Sequence, residues 1–301
     1  MTLGYDRPLY ILAFDHRGSF VKKFFGIAGT PSAEETARIA DAKTLIFEGA
    51  RRALAGGLAA ASAGVLVDEQ FGAGVARAAR AEGLTLAMPV EKSGQDEFDF
   101  DYGDAFGEHI EAFDPTFSKV LVRWNPEGDR AMNARQGERL ARLGQWLHAH
   151  DRKYLFELLV PAEPAQLEAV GGDAARYDRE VRPGLMRRAM EEIQAAGIEP
   201  DIWKIEGVDR REDCEMLSAQ ARTGGRDGVA CVVLGRGADD AAVDHWLRMG
   251  KGVPGYVGFA IGRSIWWDPL KAYVDGSSPR DEAAAKIAAN YRRFVDVYER
   301  G

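Results

Sequence analysis

Eight short runs dominated by Val, Ile, Leu and Phe recur along the chain, separated by longer stretches of helical period. That alternation marks βα units building a parallel sheet, because each parallel strand needs a crossover before the next can pair with it. The runs fall at Leu9–Phe14, Gly64–Val67, Leu84–Met88, Lys119–Arg123, Tyr154–Leu159, Ile202–Glu206, Ala230–Leu234 and Tyr256–Ile261. Helices are expected over Ala33–Ala55, Gly74–Glu82, Ala134–Ala149, Arg182–Ala196, Arg211–Arg222 and Asp239–Met249, with Arg280–Tyr298 closing the chain. Eight strand–helix pairs in about 260 residues match an α/β protein built as a single (β/α)8 TIM barrel, here with an extra C-terminal helix. A doubly wound dinucleotide fold would want GxGxxG after the first strand, where the sequence reads AFDHRGSF. No internal repeat, low-complexity tract or Pro-rich linker interrupts the series, so residues 1–301 read as one domain. Two connections are long, Val90–Pro115 and Val160–Val181.

Charge and composition narrow the partners. A net charge of −8 and a pI near 5.3 give no electrostatic reason to bind nucleic acid or an anionic membrane. The longest apolar run, Gly56–Val67, has 12 residues and falls well short of the roughly 20 that cross a bilayer. The first residues lack the basic start and long apolar stretch of a secretory signal, so the expected location is the cytoplasm. Two cysteines and five scattered histidines form no CxxC or HExxH pattern, so neither a metal site nor a cofactor is expected. Oligomeric state is left open, a homo-oligomer being compatible with everything above.

Strand parity supplies the functional signal, because alternate residues face opposite sides of a sheet. Lysine is scarce, 10 residues against 29 arginines, which makes a lysine inside an apolar strand notable. In Ile202–Glu206, Trp203 and Ile205 should pack outward, leaving Lys204 and Glu206 to face the barrel interior. Lys119 and Arg123 are inward by the same parity, opposite Val120, Val122 and Trp124. Glu157 goes inward with Leu155 and Leu159, and Asp15 follows the parity of Ile11 and Ala13. A single inward charge has a bland explanation as half of a structural pair. Six of them buried in one barrel are costly unless they form a paired, water-accessible site, and barrels place such sites at the C-terminal ends of their strands.

The residue types define a chemistry. A lysine in an apolar strand beside other cations is pushed toward its neutral amine, which attacks a ketone or aldehyde to give an iminium. Lys204 has that setting, Lys119 or Arg123 could supply the neighbouring charge, and Glu157 or Glu206 could move protons. The last two strands end in LGRG (234–237) and IGRS (261–264), each with Gly and Arg at the opening of a helix. Phosphate sites in these barrels are often built from the loops after strands seven and eight, so Gly235, Arg236, Gly262 and Arg263 are read as a phosphate grip.

These residues resemble those of metal-independent class I aldolase barrels of the tagatose-1,6-bisphosphate aldolase group. The similarity is greater to the 2-deoxy-5-keto-D-gluconate 6-phosphate aldolase domain of inositol catabolism, often joined to 5-dehydro-2-deoxygluconokinase. It rests on AFDHRGSF (13–20), VLVDEQFG (65–72), VEKSG (90–94), KVLVRWNPEGD (119–129), LFELLVP (155–161), WKIEG (203–207) and GFAIGRSIWWDPL (258–270). The resemblance implies a Schiff-base role for Lys204, a second active-site lysine in Lys119, and polar site roles for Asp15, Arg17, Glu91 and Glu157. It also implies cleavage of 5-dehydro-2-deoxy-D-gluconate 6-phosphate to dihydroxyacetone phosphate and malonate semialdehyde. Arg17 and Arg123 are then candidates for the substrate carboxylate, and Asp15 or Glu157 for the base. The chain departs from the tagatose group at His16, where that group carries Gln, and at LGRG, where it carries Ser-Ala-Gly. Both departures favour the sugar acid over a ketose bisphosphate. The barrel is expected to stand without the kinase.

Two alternatives remain, an aldolase for another phosphorylated ketose and a non-catalytic sugar-phosphate sensor. Elsewhere, His148 and His150 read as caps at a helix end, and Cys214 and Cys231 as buried thiols. Trp266 and Trp267 are expected at the barrel bottom or a subunit contact, and Asp96–Asp104 as a lid.

Overall fold

The computed structural model describes residues 2–301. Eight strands, β1 (Leu9–Ala13), β2 (Ala63–Leu66), β3 (Thr85–Pro89), β4 (Phe117–Arg123), β5 (Lys153–Leu159), β6 (Ile202–Glu206), β7 (Ala230–Leu234) and β8 (Tyr256–Ile261), close a barrel in chain order. Every neighbouring pair is parallel, β8 returning to β1 with Ile11 opposite Ala260. The helices are α1 (Ala33–Ala55), α2 (Glu69–Ala81), α3 (Phe106–Phe113), α4 (Arg130–Ala149), α5 (Pro164–Ala169), α6 (Ala174–Arg176), α7 (Arg182–Ala195), α8 (Arg211–Ala221), α9 (Asp240–Gly250), α10 (Arg263–Val274) and α11 (Arg280–Arg300). The (β/α)8 barrel with an added C-terminal helix is therefore the fold.

Two apolar clusters follow from strand parity. Outward residues such as Val120, Val122, Trp203 and Ile205 join the helices in one core. Inward residues, among them Leu9, Ile11, Phe117, Leu155, Ile202 and Val232, form a second inside the barrel. Tyr5 closes its lower end, edge-on to Phe117 at 5.4 Å between ring centres. The inward charges thus stand on an apolar floor, at the C-terminal end of the strands.

Two helices begin earlier than expected because an aspartate caps each. Asp68 accepts from Phe71 N at 2.9 Å and starts α2 at Glu69, not Gly74. Asp129 accepts from Ala131 and Met132 and starts α4 at Arg130, not Ala134. Gly49, in the middle of α1, is a packing glycine, since a Cβ there would lie 2.4 Å from Ile287 of α11. The connection Val90–Pro115 contains α3, and Val160–Val181 contains α5, α6 and a π-turn over Tyr177–Val181. Trp266 lies beneath the loop after β1, its Nε1 donating to Ala13 O at 2.9 Å, so it belongs to the C-terminal face and not the bottom. Among the described residues, no helix is long and apolar enough to cross a membrane.

Candidate active site

The strands and the loops after them surround a cavity of about 700 Å³ at the C-terminal mouth, and every candidate residue named from sequence borders it. Lys119 of β4 is almost fully buried and has three carboxylates around its ammonium. It donates to Asp15 Oδ2 and Glu91 Oε1, each at 2.8 Å, and lies 2.9 Å from Glu157 Oε2. Register brings Glu157 of β5 beside Lys204 of β6, and Lys204 Nζ lies 3.0 Å from the same Glu157 oxygen. The space among three converging carboxylates, where a cation would otherwise sit, is filled by the Lys119 ammonium.

Burial and neighbours shift these groups in different directions. Burial disfavours a charged Lys119, but Asp15, Glu157 and Glu91 outweigh it and hold its pKa well above the usual lysine value. Burial likewise pushes Asp15 and Glu157 up, yet Lys119 and Lys204 win and keep both below the ordinary carboxylate range. Glu91 goes the other way, because burial prevails over Lys119 and Arg17 and raises its pKa. Its Oε2 is buried without a hydrogen-bond partner, so nothing there compensates the charged form. His16 is pushed down to about 4, by burial and by the cations Arg263, Lys43 and Lys204 against the opposing pull of Asp15, so its ring is neutral at pH 7.

The loop after β1 is bolted from behind by Lys43 and Asp68, both fully buried. Lys43 Nζ donates to Phe14 O at 2.8 Å and His16 O at 3.0 Å, and it pairs with Asp68. Asp15 is thereby aimed at Lys119. Sequence reading passed over this pair, although Lys43 sits on the apolar stripe of α1 with Ile39 and Ile46 and Asp68 follows the β2 run directly.

The cationic residues divide by what already holds them. Arg17 donates to Asp101 at 2.7 Å and to Glu91 O at 2.5 Å, tying the 90–101 excursion to the mouth. Arg123 donates to Gln95 O at 2.6 Å and stays one-third exposed at the rim. Ser93, Gly94, Gln95, Glu97 and Phe98 border the cavity, while Phe98 and Phe100 pack into the core. Glu206 points into the mouth as parity requires, but Arg236 and Arg182 lie 2.9 and 3.2 Å from its Oε1, and Val160 N donates to Oε2 at 3.1 Å. Arg263 donates to Arg236 O at 2.7 Å, and among the described residues no carboxylate pairs with it. Arg182 and Asp178 also escaped the sequence reading; they reach the mouth from α7 and the π-turn before it, which no strand pattern marks.

Outside the mouth, His150 caps α4 and stacks on Trp146, and His148 lies 3.5 Å from Asp201. Cys214 and Cys231 are buried free thiols.

The family described as "Uncharacterized protein conserved in bacteria (DUF2090)" matches residues 5–301. A solved archaeal fructose 1,6-bisphosphate aldolase superposes with a TM-score of 0.60 at 17% identity, over 98% of this chain and 94% of that one. A Schiff-base-forming fructose-1,6-bisphosphate aldolase, solved for its reaction intermediates, gives 0.57 at 16% identity, over 97% and 94%. At such identities the likeness is one of fold. No curated protein matches the sequence.

Proposed function

The chain belongs to the DUF2090 family, and from the geometry of its barrel mouth we propose that it is a class I, Schiff-base aldolase acting on a phosphorylated keto sugar acid. The observation that carries this reading is the unequal pairing of two lysines. Lys119 is held as an ammonium by three carboxylates, whereas Lys204 meets one, Glu157, which it shares. Lys204 is the amine left to react, and Glu157 is the acceptor placed to take its proton.

In this reading Lys204 Nζ adds to the substrate ketone, and the carbinolamine loses water to form an iminium. A carboxylate, Asp15 or Glu157, takes the proton from the hydroxyl on the β-carbon. The Cα–Cβ bond breaks, its electrons pass into the iminium to leave an enamine, and the β-carbon departs as an aldehyde. Protonation of the enamine carbon and addition of water to the resulting iminium release the ketone product and restore Lys204. Glu91, the carboxyl most inclined to hold a proton, is suited to supply one. Lys119 stabilises negative charge at the hydroxyl, and the scheme calls for no metal ion.

The substrate we favour is 5-dehydro-2-deoxy-D-gluconate 6-phosphate, with Lys204 on C5 and cleavage between C3 and C4 giving dihydroxyacetone phosphate and malonate semialdehyde. Its two anionic ends suit a cavity with Arg263 at one side and Arg123 at the other rim. A ketose bisphosphate is the second reading, favoured by the fructose 1,6-bisphosphate aldolases that share the fold.

Borohydride reduction in the presence of dihydroxyacetone phosphate tests the mechanism: a mass adduct on the Lys204 peptide is expected. An intact, folded protein without an adduct would leave a sugar-phosphate sensor instead, and an adduct on Lys119 would exchange the roles of the lysines. Coupled cleavage assays with the sugar acid and with ketose bisphosphates separate the substrates. Activity should survive a chelator.

A further inference from the structure

The two arginines that follow β7 and β8 are not equivalent. Arg236 is held on two sides, its Nε lying 2.9 Å from Glu206 and its Nη1 donating to Asp178 at 2.7 Å. Its backbone is left-handed, with φ of 52°, an uncommon state for a residue with a long side chain that the surrounding structure must enforce. That twist turns its carbonyl toward α10, where Arg263 Nη2 donates to it at 2.7 Å. Gly237 follows with φ of 72°, and a Cβ there would stand 2.4 Å from the Arg263 guanidinium carbon. Arg263 therefore lies across Gly237, fixed at one nitrogen, bordering the cavity and without a carboxylate of its own among the described residues.

We propose that Arg236 is a positioning residue, a brace anchored by Glu206 and Asp178, and that Arg263 is the cation it aims at a phosphate monoester in the mouth. Glu206 stands two residues beyond Lys204 on β6, so one strand sets both the amine and, through Arg236, the anion grip. The span between a phosphate and a carbonyl carbon is then governed by a rigid element, not by two independent loops. Arg182 supports the arrangement from behind, 3.2 Å from Glu206 and 3.0 Å from Asp178. The proposal deepens the aldolase reading and rests on it for the identity of the substrate, but not for the binding of phosphate itself.

The sign of one mutational effect separates brace from ligand. If Arg236 bound phosphate directly, Asp178 would be a competitor, and Asp178→Asn would free the guanidinium and tighten binding. As a brace Arg236 needs Asp178, and Asp178→Asn weakens binding. Isothermal titration of the full chain with inorganic phosphate should show a loss of about fivefold or more in Asp178→Asn. Glu206→Gln should show a larger loss that Glu206→Asp partly restores, and Arg263→Met should show no binding. Asp178 is partly exposed, so its variant folds even if Glu206→Gln does not. In turnover, Asp178→Asn should raise KM for the phosphorylated substrate far more than it lowers kcat. Unchanged or tighter phosphate binding in Asp178→Asn overturns the proposal, as does a wild-type protein that binds no phosphate. Failure of borohydride trapping with dihydroxyacetone phosphate, alongside weakened phosphate binding in Asp178→Asn, would overturn the aldolase reading and leave the brace standing.

Discussion

Lys119 and Lys204 share one oxygen of Glu157, at 2.9 and 3.0 Å. Both lysines lower the pKa of Glu157, but of the two it is Lys119 that has Asp15 and Glu91 as further carboxylate partners. The lysines are therefore expected to respond differently to replacement. Lys204→Met should abolish borohydride trapping and lower kcat by about a thousandfold or more. Lys119→Met should still trap at Lys204 but lose stability by about 3–5 kcal/mol, because it leaves buried carboxylates uncompensated. Mass spectrometry of the reduced peptides and urea titration separate the two effects.

Glu157→Gln keeps the shape of the site and removes its proton acceptor. Cleavage should slow by about 10²–10⁴-fold, the range in which a general base contributes. The chemistry should fail before binding does, so kcat should fall with little change in KM. Equal loss with Asp15→Asn and none with Glu157→Gln would move the base to Asp15.

The fold was legible because a parallel strand buried on both faces must be almost wholly apolar, and eight such runs stand out. Ile202–Glu206, Ala230–Leu234 and Tyr256–Ile261 are bounded in the structure as the sequence predicts, each cut off by Gly, Pro or a polar group. Helix starts were harder. Gly72 and Gly74 disguise the first turns of α2, although Gly72 is there because a Cβ would meet Val67 at 2.2 Å. The start of α10 was signalled by IGRS, although Pro269 lies inside that helix. Parity placed Lys119, Glu157, Lys204 and Glu206 on the inner wall, but it says nothing of partners. Glu206 shares the parity of Lys204 yet meets Arg182 and Arg236, because it sits one pleat higher, level with the loops. Arg182 and Lys43 come from helices, where no strand pattern points inward.

Glu91 makes a prediction about pH. Its carboxyl is raised by burial, so the folded state holds the proton more tightly than the unfolded chain does. Its contribution to stability is full below the unfolded value near 4.5 and is lost as pH rises through the higher folded value. Glu91→Gln mimics the protonated form at every pH and keeps Asp15 and Glu157 around Lys119. The melting temperature of the variant relative to the parent should rise from pH 4 toward neutrality. A difference that stays flat, or falls, would show that Glu91 is ionised in the native state and unsuited to donate a proton.

The buried pair behind the β1 loop gives the sharpest separation of structure from catalysis. Lys43 does not itself border the cavity, yet it holds the carbonyls of Phe14 and His16 on either side of Asp15. Burial lowers its pKa even against the pull of Asp68, so its three acceptors compensate the buried charge only in part. Lys43→Met removes the strap and leaves the buried Asp68 without its cation, and it should cost about 3–5 kcal/mol. Adding Asp68→Asn removes that orphan charge while the amide side chain can still cap α2. The double variant should regain much of the stability but not the activity, because nothing then fixes the loop that carries Asp15. Denaturant unfolding alongside kcat for the single and double variants measures both. Recovery of activity together with stability would mean that the strap serves the fold alone and that Asp15 finds Lys119 without it.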